Sequence, residues 1–157
     1  MIDKDRLGEY LNDHTAGAVG AIAMLQHRLE EDPDPRLSQV LQEIRADKAV
    51  LDQLMADLDL TGNPLKAAAA WAGEKVSRIK REVERLRGSA LAQLLELEML
   101  QLGIAGKRSL WILLQGMQDV DPRIAALPLD DLIGRADEQA QIVETARIEA
   151  GRAALTT

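Results

Sequence analysis

Apolar residues recur every three or four positions through most of this 157-residue chain, and no alternating strand pattern competes with them. Such spacing gathers apolar side chains on one side of a helix. Phe is absent and only three other aromatic residues occur, so Leu, Ile, Val, Met and Ala must build the core, which favours helices. The pattern predicts an all-α protein with helices over about 3–31, 35–59, 64–87, 89–118 and 129–155.

The composition excludes several classes of site. The chain has no Cys, so disulfides, thiolate metal sites and cysteine nucleophiles are ruled out. A net charge of −7 disfavours nucleic acid and anionic lipid as partners. No apolar run reaches 18 residues and the first residues lack the apolar stretch of a signal peptide, so we expect no membrane span and a cytoplasmic location.

Proline and glycine divide the chain into two helical pairs within one domain, 1–157. Short Pro-rich links follow the first helix and the fourth, and each predicts an antiparallel pair. The third predicted helix, 64–87, lies between the pairs and would cross over from one to the other. Its many basic residues alternate with Glu at helical spacing, which is typical of a solvated surface rather than a nucleic-acid site.

Four polar residues interrupt the apolar stripes, each on a different predicted helix. Charged groups are seldom buried unless they are paired or bind a ligand, so we expect a buried polar layer. Counting residues from the second hairpin turn predicts a buried Glu98–Arg147 pair, and counting from the first makes His14 and Asp47 possible neighbours, with Lys48 an alternative partner for Asp47. The candidate layer comprises His14, Asp47, Glu98, Glu144 and Arg147.

Each of these residues also has an ordinary structural explanation. Glu98 and Arg147 can reach solvent from the edge of their stripes. Asp47 beside Lys48 can form a local solvated pair, and His14 can be a satisfied core histidine.

The layer resembles that of ferritin-like di-metal proteins, in which two helices each carry a Glu and two carry Glu-x-x-His. Glu98 matches one such Glu, and the segment 144–147, Glu-Thr-Ala-Arg, matches a Glu-x-x-His with Arg for His. The segment 43–47 also lacks the His, and His14 stands where the first helix would carry Glu. The resemblance implies a ferritin-like four-helix bundle with a crossover helix, while Arg147 would supply the positive charge that metals supply in the family.

We therefore expect a non-catalytic structural or interaction protein with no cofactor and no tightly bound metal. One alternative is a di-metal iron or manganese oxidase or storage protein that binds its metals through His14, Asp47, Glu98 and Glu144. Another is a helical module with an enclosed apolar ligand cavity near Gly103 and Gly106. The predicted helix 89–118 is apolar on nearly every side, so we also expect a homodimer that covers it.

Overall fold

The computed structural model describes residues 2–60 and 89–156, and these residues form five helices and no strand. The helices are α1 (Lys4–Glu31), α2 (Pro35–Asp57), α3 (Ala90–Gln115), α4 (Pro122–Ala125) and α5 (Leu129–Leu155). The all-α prediction is thus confirmed for this part of the chain. The predicted helix 64–87 lies outside the described residues. The single turn α4 was predicted as part of a linker.

Local sequence signals set where four of the helices begin. The side chains of Asp3, Asp34, Ser89 and Asp121 each accept a hydrogen bond from a backbone N–H in the first turn of the helix that follows. These bonds satisfy donors that have no partner inside a helix. Proline follows Asp34 and Asp121, where its missing N–H costs nothing.

The four long helices pack side by side, and every neighbouring pair is antiparallel. α1 contacts α2 and α3, while α5 contacts α2 and α3. One apolar cluster joins the beginnings of α1 and α5 to the ends of α2 and α3, and includes Leu11, Leu54 and Trp111. A second cluster lies at the opposite end and includes Leu25, Leu37 and Leu97. Consequently α2 and α3 run in the same direction. The last residues of α2 lie in the first cluster, whereas the first residues of α3 lie in the second.

Polar contacts fix the register between α3 and α5. Three hydrogen-bonded pairs follow one another at seven-residue intervals, and in each the two residue numbers add to 245: Gln101–Glu144, Arg108–Asp137 and Gln115–Asp130. A seven-residue repeat beside an apolar seam is typical of coiled-coil packing. None of the described helices is both long enough and apolar enough to cross a bilayer.

Candidate functional site

Asp47 is the most deeply buried carboxylate among the described residues, with 1% of its side chain exposed. It lies on α2 between two core residues, Ile44 and Leu51, which belong to different apolar clusters. The spacing of three and four residues places all three side chains on one side of the helix. Asp47 therefore lies in the interior, at the level where one cluster gives way to the other.

Two cations from other helices neutralise this carboxylate. Lys107 of α3 places Nζ 2.5 Å from Oδ2, and Arg135 of α5 places Nη2 2.8 Å from Oδ1. The arginine contact is a close ion pair rather than an aligned hydrogen bond, because Oδ1 accepts no bond of good geometry. A buried charge is costly unless it is paired, so these two contacts explain how α2 can carry Asp47 in its core.

One amide, of Gln139, and one carboxylate, of Glu43, complete the network. Gln139 is fully buried on α5; its Oε1 accepts a hydrogen bond from Lys107. Its Nε2 donates to Glu43 Oε2 at 3.0 Å and, at 3.4 Å, to Asp47 Oδ2. Glu43 lies one turn before Asp47 on α2. The network thus connects three helices through five side chains: Glu43, Asp47, Lys107, Arg135 and Gln139.

The charges of the network act on Lys107 in opposite directions. Burial of its ammonium group is the largest influence and lowers the pKa of Lys107, and Arg135 lowers it further. Asp47 and Glu43 act against this shift by stabilising the charged form. Because the pKa is lowered overall, burial and Arg135 together outweigh the two carboxylates at this position.

The structure places only one predicted layer residue, Asp47, in this network. Lys48 is not its partner, since it bonds instead to Asp52 at 2.6 Å in a more exposed i, i+4 pair. His14 is half-buried on α1, where its ring meets that of Tyr10 edge to face at 4.7 Å. Burial lowers the pKa of His14, and among the described residues no hydrogen bond or ion pair joins it to Asp47.

Glu98 and Arg147 do form an ion pair, at 3.4 Å, but the expectation that they are buried is wrong. Their side chains are 47% and 31% exposed, and Arg147 bonds more closely to Glu144 at 2.7 Å. The predicted register was correct because it depends only on residue counting. The predicted burial was wrong because α3 carries apolar residues on both its inner and its outer side. The middle of its apolar surface, where Glu98 lies, therefore does not face the core.

Three members of the network were not predicted as site residues: Lys107, Arg135 and Gln139. The sequence nevertheless carries a signal for two of them. Lys107 follows Ile104 by three residues and precedes Trp111 by four; Gln139 stands in the same relation to Ala136 and Val143. This is the spacing that Asp47 has on α2. Arg135 precedes Gln139 by one turn and has no such signal, because a third of its side chain reaches solvent.

A second ion pair is largely buried towards the end of the bundle that contains Leu25 and Leu97. Arg28 of α1 lies 3.8 Å from Glu96 of α3, with side chains 10% and 16% exposed. The Nε and Nη1 atoms of Arg28 are buried without a hydrogen bond. This pair joins α1 to α3, two helices that the central network does not link.

The donor set of the central network does not suit a metal ion. Lys107 and Arg135 already place positive charge against Asp47, and a cation there would meet repulsion from both. Within residues 2–60 and 89–156, no cluster of three or more His, Asp or Glu side chains has a metal-binding arrangement. The four alternative ligands do not converge: Asp47 is central, Glu98 and Glu144 are at the surface, and His14 lies beside Tyr10.

A cavity of about 250 Å³ lies at the turn between α3 and α5, not near Gly103 and Gly106. Its lining combines apolar and polar side chains: Gln115, Gln118, Leu127, Pro128, Leu129, Asp130 and Asp131.

No protein-family model, curated protein or solved structure matches this chain.

Proposed function

We propose that this protein is a ferritin-like helical bundle in which protein cations replace the metal centre, and that its role is structural or interactive rather than catalytic. The single observation that carries the proposal is the position of Lys107. Its Nζ atom lies in the interior between α2 and α5, bonded to Asp47 and Gln139. An internal cation at this position supplies the positive charge that a carboxylate in the core requires.

The helix directions support the ferritin-like part of the proposal. Among the described residues there are two antiparallel pairs, and the end of α2 lies at the opposite end of these pairs from the start of α3. One long crossover between two antiparallel pairs is the connectivity of ferritin-like folds. The family builds its centre from side chains that project inward from facing helices, and Asp47, Lys107 and Gln139 project inward in the same way.

The charges of the network support the loss of metal chemistry. A ferritin-like centre needs several carboxylates around its cations, whereas here two carboxylates, Glu43 and Asp47, share the site with two protein cations. The balance of charge is already complete without a metal ion. A cytoplasmic location is part of the same proposal.

Metal analysis of the purified full-length chain tests this proposal directly. Protein prepared without chelator and dialysed against Fe²⁺, Mn²⁺ or Zn²⁺ should retain only substoichiometric metal. Stoichiometric binding by the wild-type chain would overturn the proposal. A gain-of-binding variant sharpens the test: K107E with R135H replaces both cations by metal-binding groups beside Asp47, and should bind Zn²⁺ or Mn²⁺ more tightly than the wild-type chain does.

A matched control separates this effect from a general increase in negative charge. K48E with R45H makes the same substitutions on neighbouring positions of α2, outside the network, and should bind no more metal than the wild-type chain. Equal binding by the two variants would show that the central position has no special role. Circular dichroism establishes first that both variants are folded.

A further inference from the structure

The outer side of α3 carries an apolar stripe that the described residues leave exposed. Leu102 is 75% exposed, and Leu91 and Ile112 are each about 40% exposed. The residues of the stripe follow one another at alternating spacings of four and three: Leu91, Leu95, Glu98, Leu102, Ala105, Ser109, Ile112 and Gly116. This is the seven-residue repeat of a coiled-coil seam, and it lies opposite the seam that packs in the core.

The stripe is complementary to itself when a second copy runs antiparallel. In an antiparallel coiled coil each position of one series faces a position of the other series. About a centre between residues 103 and 104, facing residue numbers add to 207, and this register yields four pairs: Leu91–Gly116, Leu95–Ile112, Glu98–Ser109 and Leu102–Ala105. Two pairs set a leucine against a small residue, and one sets the Glu98 carboxylate against Ser109, whose hydroxyl donates to the Ala105 carbonyl of its own helix.

We propose that the outer side of α3 is a homodimer interface in which two copies of α3 pack antiparallel about a two-fold axis near residues 103 and 104. Leu102 of each copy then lies over Ala105 of the other. Gly103 and Gly106 lie near this axis; they have no side chain and the space beside them is open, which allows close approach of the second helix. The single charged residue of the stripe, Glu98, keeps its ion pair with Arg147 and faces Ser109 rather than an apolar side chain.

The expected interface is smaller than that of a typical stable complex. The stripe is roughly 39 Å long and 10 Å wide, which gives about 400 Å² per copy. A stable dimer buries about 800 Å² per partner, so the neighbouring surface must contribute. Ile148, half exposed on α5, follows Glu144 by one turn and so lies on the side of α5 next to α3. We therefore expect a dimer that forms in the micromolar range.

Cysteine cross-linking of the full chain tests the register, and the absence of native Cys keeps the background clean. Leu95 and Ile112 are 17 residues apart on one helix, about 25 Å, so they cannot bond within a chain. The double variant L95C/I112C should form a disulfide-linked dimer under mild oxidation. The single variants L95C and I112C should not, because each position lies about 25 Å from its own copy in this register.

Sedimentation equilibrium at 1–100 µM tests the surface independently. The wild-type chain should be dimeric at the upper end of this range, and L102E should raise the dissociation constant about 100-fold or more, because it buries a charge in each half of the interface. V19E is the matched control. Val19 is also exposed but lies on α1, which forms no part of the proposed interface, so its substitution should leave the dissociation constant unchanged.

Three outcomes would overturn the proposal. A wild-type chain that stays monomeric at 100 µM would mean that another part of the chain or another protein covers the stripe. A dimer that persists in L102E would place the interface elsewhere. Equal cross-linking by the double variant and the single variants would exclude the register. The proposal depends on the outer side of α3 and not on the central network, so metal binding by the wild-type chain would leave it intact.

Discussion

Replacement of Asp47 should destabilise the protein far more than replacement of either cation that contacts it. D47N is nearly isosteric, and its amide can still accept from Lys107, yet it leaves two cations facing each other without their shared carboxylate. Loss of one partner from a buried ion pair typically costs about 3–5 kcal/mol. Since small domains are stable by only about 5–15 kcal/mol, D47N should lose a large part of the free energy of unfolding.

Replacement of Lys107 should cost less. In K107M the carboxylate keeps Arg135 at 2.8 Å and the Gln139 amide, so we expect a loss of about 1–3 kcal/mol, the usual penalty for a buried polar group with fewer partners. The double variant D47N/K107M removes both buried charges and leaves Arg135, which already reaches solvent. It should therefore lose less stability than the sum of the two single losses.

Urea unfolding followed by circular dichroism measures all of these free energies. K48M and D52N are the matched controls, because Lys48 and Asp52 form an i, i+4 pair of the same chemistry beside the network. Such a pair contributes only about 0.3–0.5 kcal/mol. If the losses in D47N and K107M add in the combined variant D47N/K107M, or if K48M costs as much as K107M, then burial of the network does not determine its energetics.

Other predictions concern the surface and the titrating groups. R147A should leave the urea midpoint almost unchanged, because the ion pairs of Arg147 with Glu98 and Glu144 are exposed. A large loss of stability would instead indicate that the Glu98–Arg147 pair is buried. Asp121 and Glu144 each have a pKa of about 2 because Arg123 and Arg147, respectively, bond to them. Both carboxylates are therefore more acidic when folded, so stability should fall from about pH 4.5 towards pH 2, and D121N should flatten that fall. In an NMR titration, His14 should protonate below its ordinary pKa of 6.5, since burial disfavours the charged ring; a value above 6.5 would contradict this. G134A should raise the free energy of unfolding by about 0.5–1 kcal/mol, because Ala stabilises a helix interior relative to Gly and no neighbouring atom lies within 4 Å of the added methyl group. A loss of stability would show that the methyl group clashes with a neighbour.

The apolar periodicity determined the helices and their pairing in the described part of the chain. Leu, Ile and Val at spacings of three and four can be buried only if each segment is helical, and short Pro-containing links leave little choice but an antiparallel neighbour. Residue counting also gave the correct level of Glu98 and Arg147 across the α3–α5 pair. These properties are local, or depend only on distance along the chain from a turn.

Only the tertiary structure decided which polar residues lie inside. α3 is apolar on two opposite sides, and nothing within that helix tells which side meets α1 and α5; hence Glu98 was expected inside and Lys107 was overlooked. The partners of Asp47 come from positions 107, 135 and 139, which are brought together by packing of three helices. A buried charge is defined by the groups that surround it in space, and that arrangement has no fixed spacing along the chain.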